Sequence, residues 1–402
     1  MTDTVVDTDV CVAGGGPAGL MLAVLLARQG IRVMLVEKHA DFLRDFRGDT
    51  VHPSTLDLLD EMGLQQEING LPHRDAERLT VTFADGTFIL ADFSRLRVPH
   101  PYLRFMPQWH LLNLLAATGE QHHNFTLLRS HEVVDVTRDR GIVTGLLANG
   151  PDGQVRIRAY LTVAADGRGS VIRERLALPL RTLGAPMDVL WFRLPRRRDD
   201  TEGLDMRVGA GRLLLGIDRD DFWQIADVIP KNGFEAVRAA GIDAFRAAVA
   251  DQAPAYADRV AQIGSWADVK MLTVRVDRLR RWYAPGVLLI GDAAHAMSPI
   301  GGVGINLAIQ DAVAAARILA GPIAQRRLST RVLAKVQHRR SFPTIGTQAI
   351  QVAIQQAFLG RVLVAERPVR APAPLKLLRR FPALQRLPAR VVGVGLRPEH
   401  LS

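Results

Sequence analysis

Two kinds of segment alternate along the chain. Short β-branched runs bounded by glycine recur between longer stretches of helical composition, the pattern of strands joined by crossover helices. Asp9 to Ala13 reads as a buried strand and ends in Gly14-Gly15-Gly16-Pro17-Ala18-Gly19. Leu20 to Gln29 has helical composition with no breaker, and Gly30 suits its C-cap. Ile31 to Val36 forms the next strand and stops at Glu37. This is a βαβ unit of about 30 residues. A helix is expected over Pro53–Met62, a hairpin over Leu79–Phe83 and Thr87–Leu90 turned by Asp85-Gly86, and a helix over Trp109–Thr118. Strands follow near Glu132–Thr137, Ile142–Ala148 and Val155–Ala165.

Between about residues 181 and 268 the character changes. Strand-like runs over Asp188–Leu194, Met206–Ile217 and Phe222–Pro230 precede helical stretches at Phe234–Val249 and Tyr256–Gly264. This block reads as a second, α+β domain. Strand Gly286–Ile290 and a long helix, Gly304–Leu319, return to the first style, and the chain closes on helical residues near 344–365 and a Pro- and Arg-rich tail.

Composition narrows the classes. Of 402 residues, 48% are hydrophobic and 23% charged, which argues against wholesale disorder and a coiled coil. The single cysteine, Cys11, excludes an internal disulfide framework and multi-cysteine metal sites. No uninterrupted apolar run reaches about 18 residues, so no integral membrane segment is expected. The acidic start, Met1–Asp9, does not resemble a signal peptide, and the expected compartment is the cytoplasm. The net charge of +10 is carried almost wholly by arginine. The arginines are dispersed apart from Arg196-Arg197-Arg198 and the tail, with no aromatic interleaving, so no nucleic-acid partner is expected.

The glycine cluster carries the first chemistry. In Gly14-x-Gly16-x-x-Gly19 the first glycine allows a tight turn, the second lets backbone approach a pyrophosphate, and the third permits close helix–strand packing. The phosphates would meet the positive end of the following helix. Glu37 stands where a carboxylate accepts from a ribose, and a glutamate there disfavours a 2′-phosphate. The fingerprint alone leaves NAD and FAD both open.

Two later motifs follow: Asp166-Gly167-Arg168-Gly169-Ser170 after a strand, and Gly291-Asp292-Ala293-Ala294-His295 leading to Ser298-Pro299 and Gly301-Gly302-Val303-Gly304-Ile305-Asn306. With all three in order over roughly residues 8–340, the chain resembles the class A flavoprotein monooxygenases, the p-hydroxybenzoate hydroxylase-like aromatic hydroxylases. It is similar to their short branch, which lacks a thioredoxin-like C-terminal domain.

The resemblance implies an α/β fold: a Rossmann-like FAD-binding domain of the GR2 type in three parts (1–77, 98–180 and 269–340), a hairpin at 78–97 belonging to an inserted α+β substrate domain (181–268), and a C-terminal helical segment (341–402). The segment is expected to pack on the FAD-binding domain. Expected cofactor contacts are Gly14, Gly16, Ala18, Gly19, Glu37, Lys38, Arg47, Gln108, Asp166, Gly167, Asp292, Pro299, Gly302, Gly304, Ile305 and Asn306. Arg104 is an alternative to Gln108, and Arg168 and Arg173 are candidates to meet phosphates. Asp292 would accept from a ribityl hydroxyl, and the amides near Gly301, Gly302 and Gly304 would steady negative charge at the flavin edge. Pro299, His295 and Arg47 are the candidate catalytic residues, and Trp191 and Trp223 the candidate substrate-pocket residues.

The implied reaction uses FAD, NAD(P)H as transient reductant and O2 to hydroxylate a small-molecule aromatic, phenolic or polyketide-like, through a flavin C4a-hydroperoxide. Same-fold epoxidation, Baeyer–Villiger oxidation or a geranylgeranyl-reductase type of reaction are the alternatives, and a monomer or homodimer is expected.

Overall fold

A computed structural model describes residues 4–43, 50–200, 203–219 and 221–401. Its largest sheet is built on parallel strands. Thr4–Ala13 lies between Gly153–Ala164 and Val33–Val36, and Phe125–Leu128 and Val287–Leu289 flank them, all parallel. Antiparallel strands Ile142–Gly150 and Glu132–Asp139 extend it from one edge. Val33–Val36 is wholly buried, as a parallel strand covered on both faces must be. The helix Pro17–Ala27 is apolar all round, and every residue from Ala18 on is buried. It packs against Gly304–Ala324 and Gln108–Glu120. Gly304–Ala324, together with the turn before it, is long and apolar enough to cross a membrane, but 78% of its apolar window is buried inside the fold, so packing accounts for its composition.

A second sheet has seven strands in the order Lys270–Leu272, Met187–Pro195, Phe222–Pro230, Leu213–Asp218, Leu204–Val208, Arg78–Phe83 and Gly86–Asp92. Its two faces have different neighbours. Leu190, Phe192, Leu194, Trp223 and Ile225 pack against Phe245, Val249 and Tyr256 of the helical layer. Met187, Val189, Ala226 and Val228 face Leu359, Val362, Ala371 and Leu375, with Ile300 beside them.

The expected single helix over 234–249 is two helices, Phe234–Ala239 and Ile242–Gln252, because Gly241 between them takes φ +92°. Residues 256–264 form short 3₁₀ turns rather than a helix. The C-terminal segment takes another path than expected. Its helices Ala373–Arg380 and Arg386–Gly393 pack on the hairpin strand Gly86–Asp92 of the second sheet. The last residues return to the first domain, where the buried Glu399 meets Arg340.

One buried charge in the second sheet sets a pH dependence. Burial pushes the Asp227 carboxyl up to about 6, and Arg212 at 3.2 Å offsets that only in part. The folded chain holds this proton more tightly than the unfolded chain. The contribution is therefore full below about pH 4 and is lost as pH rises through about 6. Asp227→Asn should raise the urea midpoint at pH 8 by the equivalent of about 3 kcal/mol. The gain should vanish near pH 4; an equal gain at both pH values would refute this account.

Candidate active site

The three glycines of the fingerprint occupy three different environments. Gly14 has φ +99°, and a Cβ there would lie 2.5 Å from the Ala165 carbonyl oxygen. A Cβ on Gly19 would lie 1.9 Å from the Gly14 oxygen. A Cβ on Gly16 would meet nothing within 4 Å. The first and third glycines let two loops and a helix close on one another, and the second borders open space at the N-terminus of the helix Pro17–Ala27. That helix has no acidic residue in its first turn to compete for its positive end. Ala18 is buried within the helix, against Gly291, and Lys38 is exposed. Glu37 accepts from Gly15 N at 2.9 Å and from His39 N at 3.0 Å, so the carboxylate is pinned at the strand end.

The strand Gly153–Ala164 delivers the second motif beside the first, and Ala165 N donates to Ala13 O. Asp166 accepts weakly from Ile172 N at 3.4 Å, its other oxygen is buried without a partner, and burial pushes its carboxyl above the usual range. Gly167 takes φ +83°. Ser170 caps the short helix Val171–Arg175. Arg168 and Arg173 are both engaged within the chain: Arg168 Nε donates to Asp292 Oδ2 at 3.0 Å, its Nη1 being buried without a partner among the described residues, and Arg173 donates to the Ala293 carbonyl and to that of Arg168. They clamp the second motif onto the third.

In the third motif Gly291 turns at φ +58°, its N–H donating to Asp311 Oδ2 at 3.1 Å. Asp292 follows, a third exposed and paired with Arg168. His295 is placed differently from the catalytic expectation. It is 1% exposed, its Nε2 lies 2.6 Å from Asp311, and its ring stacks on Trp282 at 4.8 Å. That environment makes it part of the frame behind the loop. Asp311 also accepts from Arg340 Nε at 2.9 Å. Burial alone would raise the Asp311 carboxyl, but His295 and Arg340 outweigh it and hold the group below the usual range.

Pro299 opens the glycine turn, and Gly302 N donates back to its carbonyl at 3.0 Å. Gly301 and Gly302 have φ +75° and +64°. The N–H of Gly302 is thus used inside the turn. The free donors facing outward are those of the next helix's first turn, Gly304, Ile305 and Asn306, which have no intrahelical acceptor. No acid sits in that turn either. The Asn306 side-chain oxygen accepts from Ser54 and Thr55, each at 2.9 Å, which fastens the helix Pro53–Glu61 to the turn. Gln108, half-buried at the start of its helix, has no hydrogen-bond partner among the described residues. Arg104 is not an alternative to it: the guanidinium is buried in a two-bond pair with Asp75, at 2.8 Å each, and also binds Asn69. Arg47 lies outside the described residues.

The two tryptophans lie on opposite faces of the second sheet. Trp223 pairs with Leu194 and so shares the face covered by helices. It is 1% exposed, stacks on Tyr256 and donates to Asp200 at 2.8 Å. The pocket expectation for Trp223 is therefore corrected. Trp191 pairs with Ala226 on the other face and packs in one apolar cluster with Val392. Its Nε1 is buried without a partner among the described residues, as is Nε2 of Gln224 on the same face.

Val392 leads to a residue the sequence did not single out. His52 Nδ1 lies 2.8 Å from the Val392 carbonyl and Nε2 lies 3.1 Å from that of Gly302. Burial pushes the imidazole down to about 4, so near pH 7 it is neutral, carries one N–H, and donates to one of the two carbonyls while packing between the glycine turn and the C-terminal helix. Asp311 was also missed. A signal existed: Asn306, Gln310 and Asp311 are polar positions in an otherwise apolar helix, and buried polar groups require partners.

Residues 7–349 match the family described as FAD binding domain. The chain belongs to that family. It is an FAD-dependent monooxygenase of the class A flavoprotein type. It is 37% identical over 384 residues to 6-methylpretetramide 4-monooxygenase of Streptomyces rimosus, across 93% of this chain and 92% of that one. It is 30% identical over 325 residues to a 12-dehydrotetracycline 5-monooxygenase/anhydrotetracycline 6-monooxygenase of Streptomyces rimosus, spanning 76% of this chain and 61% of that one. Among solved structures, PqsL of Pseudomonas aeruginosa in complex with 2-aminobenzoylacetate is similar, with TM-score 0.74, 25% identity and coverage of 89% and 97%. The residues present fit an FAD: an open second glycine, two helix N-termini free of acid, and unpartnered polar groups at Gln108 and Asp166.

The flavoprotein's glycines should respond unequally to substitution. Gly16→Val should fold with a melting temperature close to the parent while retaining at least about 10-fold less FAD, a loss of more than about 1.4 kcal/mol. Gly19→Ala should fail to give folded protein, since backbone stands where its methyl would go. A yellow, stoichiometric Gly16→Val would refute the assignment; absorbance against protein concentration and circular dichroism read both variants.

Proposed function

We propose that this monooxygenase hydroxylates a large phenolic, polyketide-like aromatic, held edge-on by the Trp191 and Gln224 N–H groups. The observation that carries this reading is that pair of buried, unpartnered donors on the flavin-side face of the second sheet. A buried donor left unmade costs about 1–3 kcal/mol, and a phenolic or carbonyl oxygen would recover it on binding. Val189, Ala226, Leu215 and Ile217 give the face an apolar floor that suits a broad ring system and keeps water away, with Arg193 and Arg219 at its Gln224 end. The relative of 37% identity acts, by its name, on a methylpretetramide, which supports the same substrate class.

When bound, FAD supplies the activation of O2 after reduction by NAD(P)H, chemistry that no side chain here carries. The chain's own residues place and polarise. The backbone beside Gly16 and the Pro17–Ala27 N-terminus receive the pyrophosphate, and Glu37 accepts from the ribose. Asp292 accepts from the ribityl chain once Arg168 shares it, and Gln108 contacts the same chain. The N–H groups of Gly304, Ile305 and Asn306 stabilise negative charge at the edge of the ring system. Pro299 walls the space between that ring and the substrate.

The test is oxygen transfer by the FAD-loaded protein with a panel of polycyclic phenols. NAD(P)H oxidation should accelerate with one class, and label from 18O2 should appear in the product; acceleration without label would overturn hydroxylation. Trp191→Phe keeps the ring and removes the N–H. It should raise KM by about 10-fold and divert reducing equivalents to hydrogen peroxide, while the free protein gains about 1 kcal/mol of stability. An unchanged KM would remove Trp191 from substrate recognition.

A further inference from the structure

A small sheet joins the two larger ones, with strands Leu180–Thr182, Asp277–Leu279 and His295–Ala296. Arg181 is the direct partner of Arg278, and Arg278 the direct partner of His295. Cross-strand partners share a face, so Arg181 and Arg278 stand side by side with the Asp311-paired His295 ring beyond them, and like charges directly opposite one another destabilise a sheet. Burial, then the charge of Arg181, holds the Arg278 guanidinium below the usual arginine range.

A cavity of about 360 Å³ opens over this row, lined by Arg181, Arg278, Arg280, Trp282, Gln337 and Ser341, with no acidic residue in its wall. Among the described residues no carboxylate pairs with any of the three arginines. Arg278 donates to the neutral Gln348 Oε1 at 2.9 Å, and Arg181 and Arg280 are exposed. Trp282, 2% exposed, forms the inner wall and stacks on His295 at the end of the row.

The cavity is separate from the flavin's phosphate cradle. Adjacent strand residues point to opposite faces. Asp277 lies among Arg173, Asp292 and Arg168 on the cofactor side, so Arg278 points away from it. We infer that this cavity is a second anion site that binds a phosphate-bearing small molecule. One carboxylate would leave two guanidinium charges unmatched, whereas a diphosphate or a phosphomonoester carries two or more negative charges and accepts the guanidinium fork in pairs. Its volume is that of a small-ligand pocket. The repulsion between Arg181 and Arg278 is relieved when such an anion enters.

Two sources share this chemistry, the phosphates of the nicotinamide reductant and a free phosphorylated metabolite. The protein is first saturated with FAD, and pyrophosphate is titrated by calorimetry and thermal shift with ionic strength held by sodium chloride. Saturable binding and a raised melting temperature are expected. Arg181→Gln, an exposed change, should raise the melting temperature without anion by relieving the repulsion. It should also weaken pyrophosphate by at least about 10-fold and abolish the anion-dependent shift; Arg278→Gln should do the same to binding. No saturable binding, acetate as effective as pyrophosphate, or parent-like affinity in Arg181→Gln would each overturn the site. Flavin reduction then separates the sources. A KM for NADPH raised at least about 5-fold in Arg181→Gln supports the site with the reductant as ligand. Unchanged KM values for NADPH and NADH, with pyrophosphate binding lost, support it with a free phosphorylated ligand.

Discussion

The buried carboxylate of Asp311 is the fixed point of this fold. It accepts from the Gly291 N–H, from His295 and from Arg340, while Arg340 reaches on to Glu399 and to the Arg397 carbonyl near the chain's end. A charge with no exposure is tolerable only when it is paired and its lone pairs are used. Three contacts, two from the third motif and one from Arg340 on a later helix, meet that condition. The consequence is geometric. Gly291 cannot shift without breaking a buried bond, so the neighbouring Asp292 is held at the strand end. The C-terminal tail cannot lift without stranding Glu399, which also pairs with Arg339 and Arg317.

From that point the cofactor region is assembled by contacts between motifs far apart in sequence. Arg168 and Arg173 tie the second motif to the third, and Ala165 ties it to the first strand. Ser54 and Thr55 hold Asn306, while His52 links Gly302 to Val392. The groups left over are the ones a flavin needs: helix N-termini without competing acid and a few polar atoms with spare capacity. Rigid placement of such groups before the ligand arrives is what makes them effective in a site that excludes water.

What was legible in the sequence was local. The glycine spacing, the strand before it and Glu37 after it are short-range features whose geometry follows from sterics, and Gly14, Gly16 and Gly19 each have a distinct physical reason. Long-range partners were not legible. Arg104 reads as a cofactor contact until Asp75 is seen beside it, and His295 reads as a base until Asp311 and Trp282 enclose it. The two tryptophans show the limit most sharply. Trp191 and Trp223 have similar strand contexts, but a strand's faces exchange with a one-residue shift of register. Only the pairing of Leu194 with Trp223 and of Ala226 with Trp191 separates them. The tail's route over the hairpin was hidden for the same reason: its amphipathic helices state that one face is covered, not by what.

The second sheet shows why those two faces had to diverge. On the helical side the Trp223 N–H goes to Asp200, and Asp200 is clamped by Arg259 at 2.6 and 2.9 Å, while the buried Asp227 has only the Arg212 charge beside it. On the other face Trp191 and Gln224 keep buried N–H groups without a partner among the described residues. A fold selected for stability alone would replace them with apolar residues, since an unmade donor is a cost in every molecule that has not bound substrate. Under the proposed function that cost is temporary: the two donors have their stabilisation deferred until an acceptor arrives.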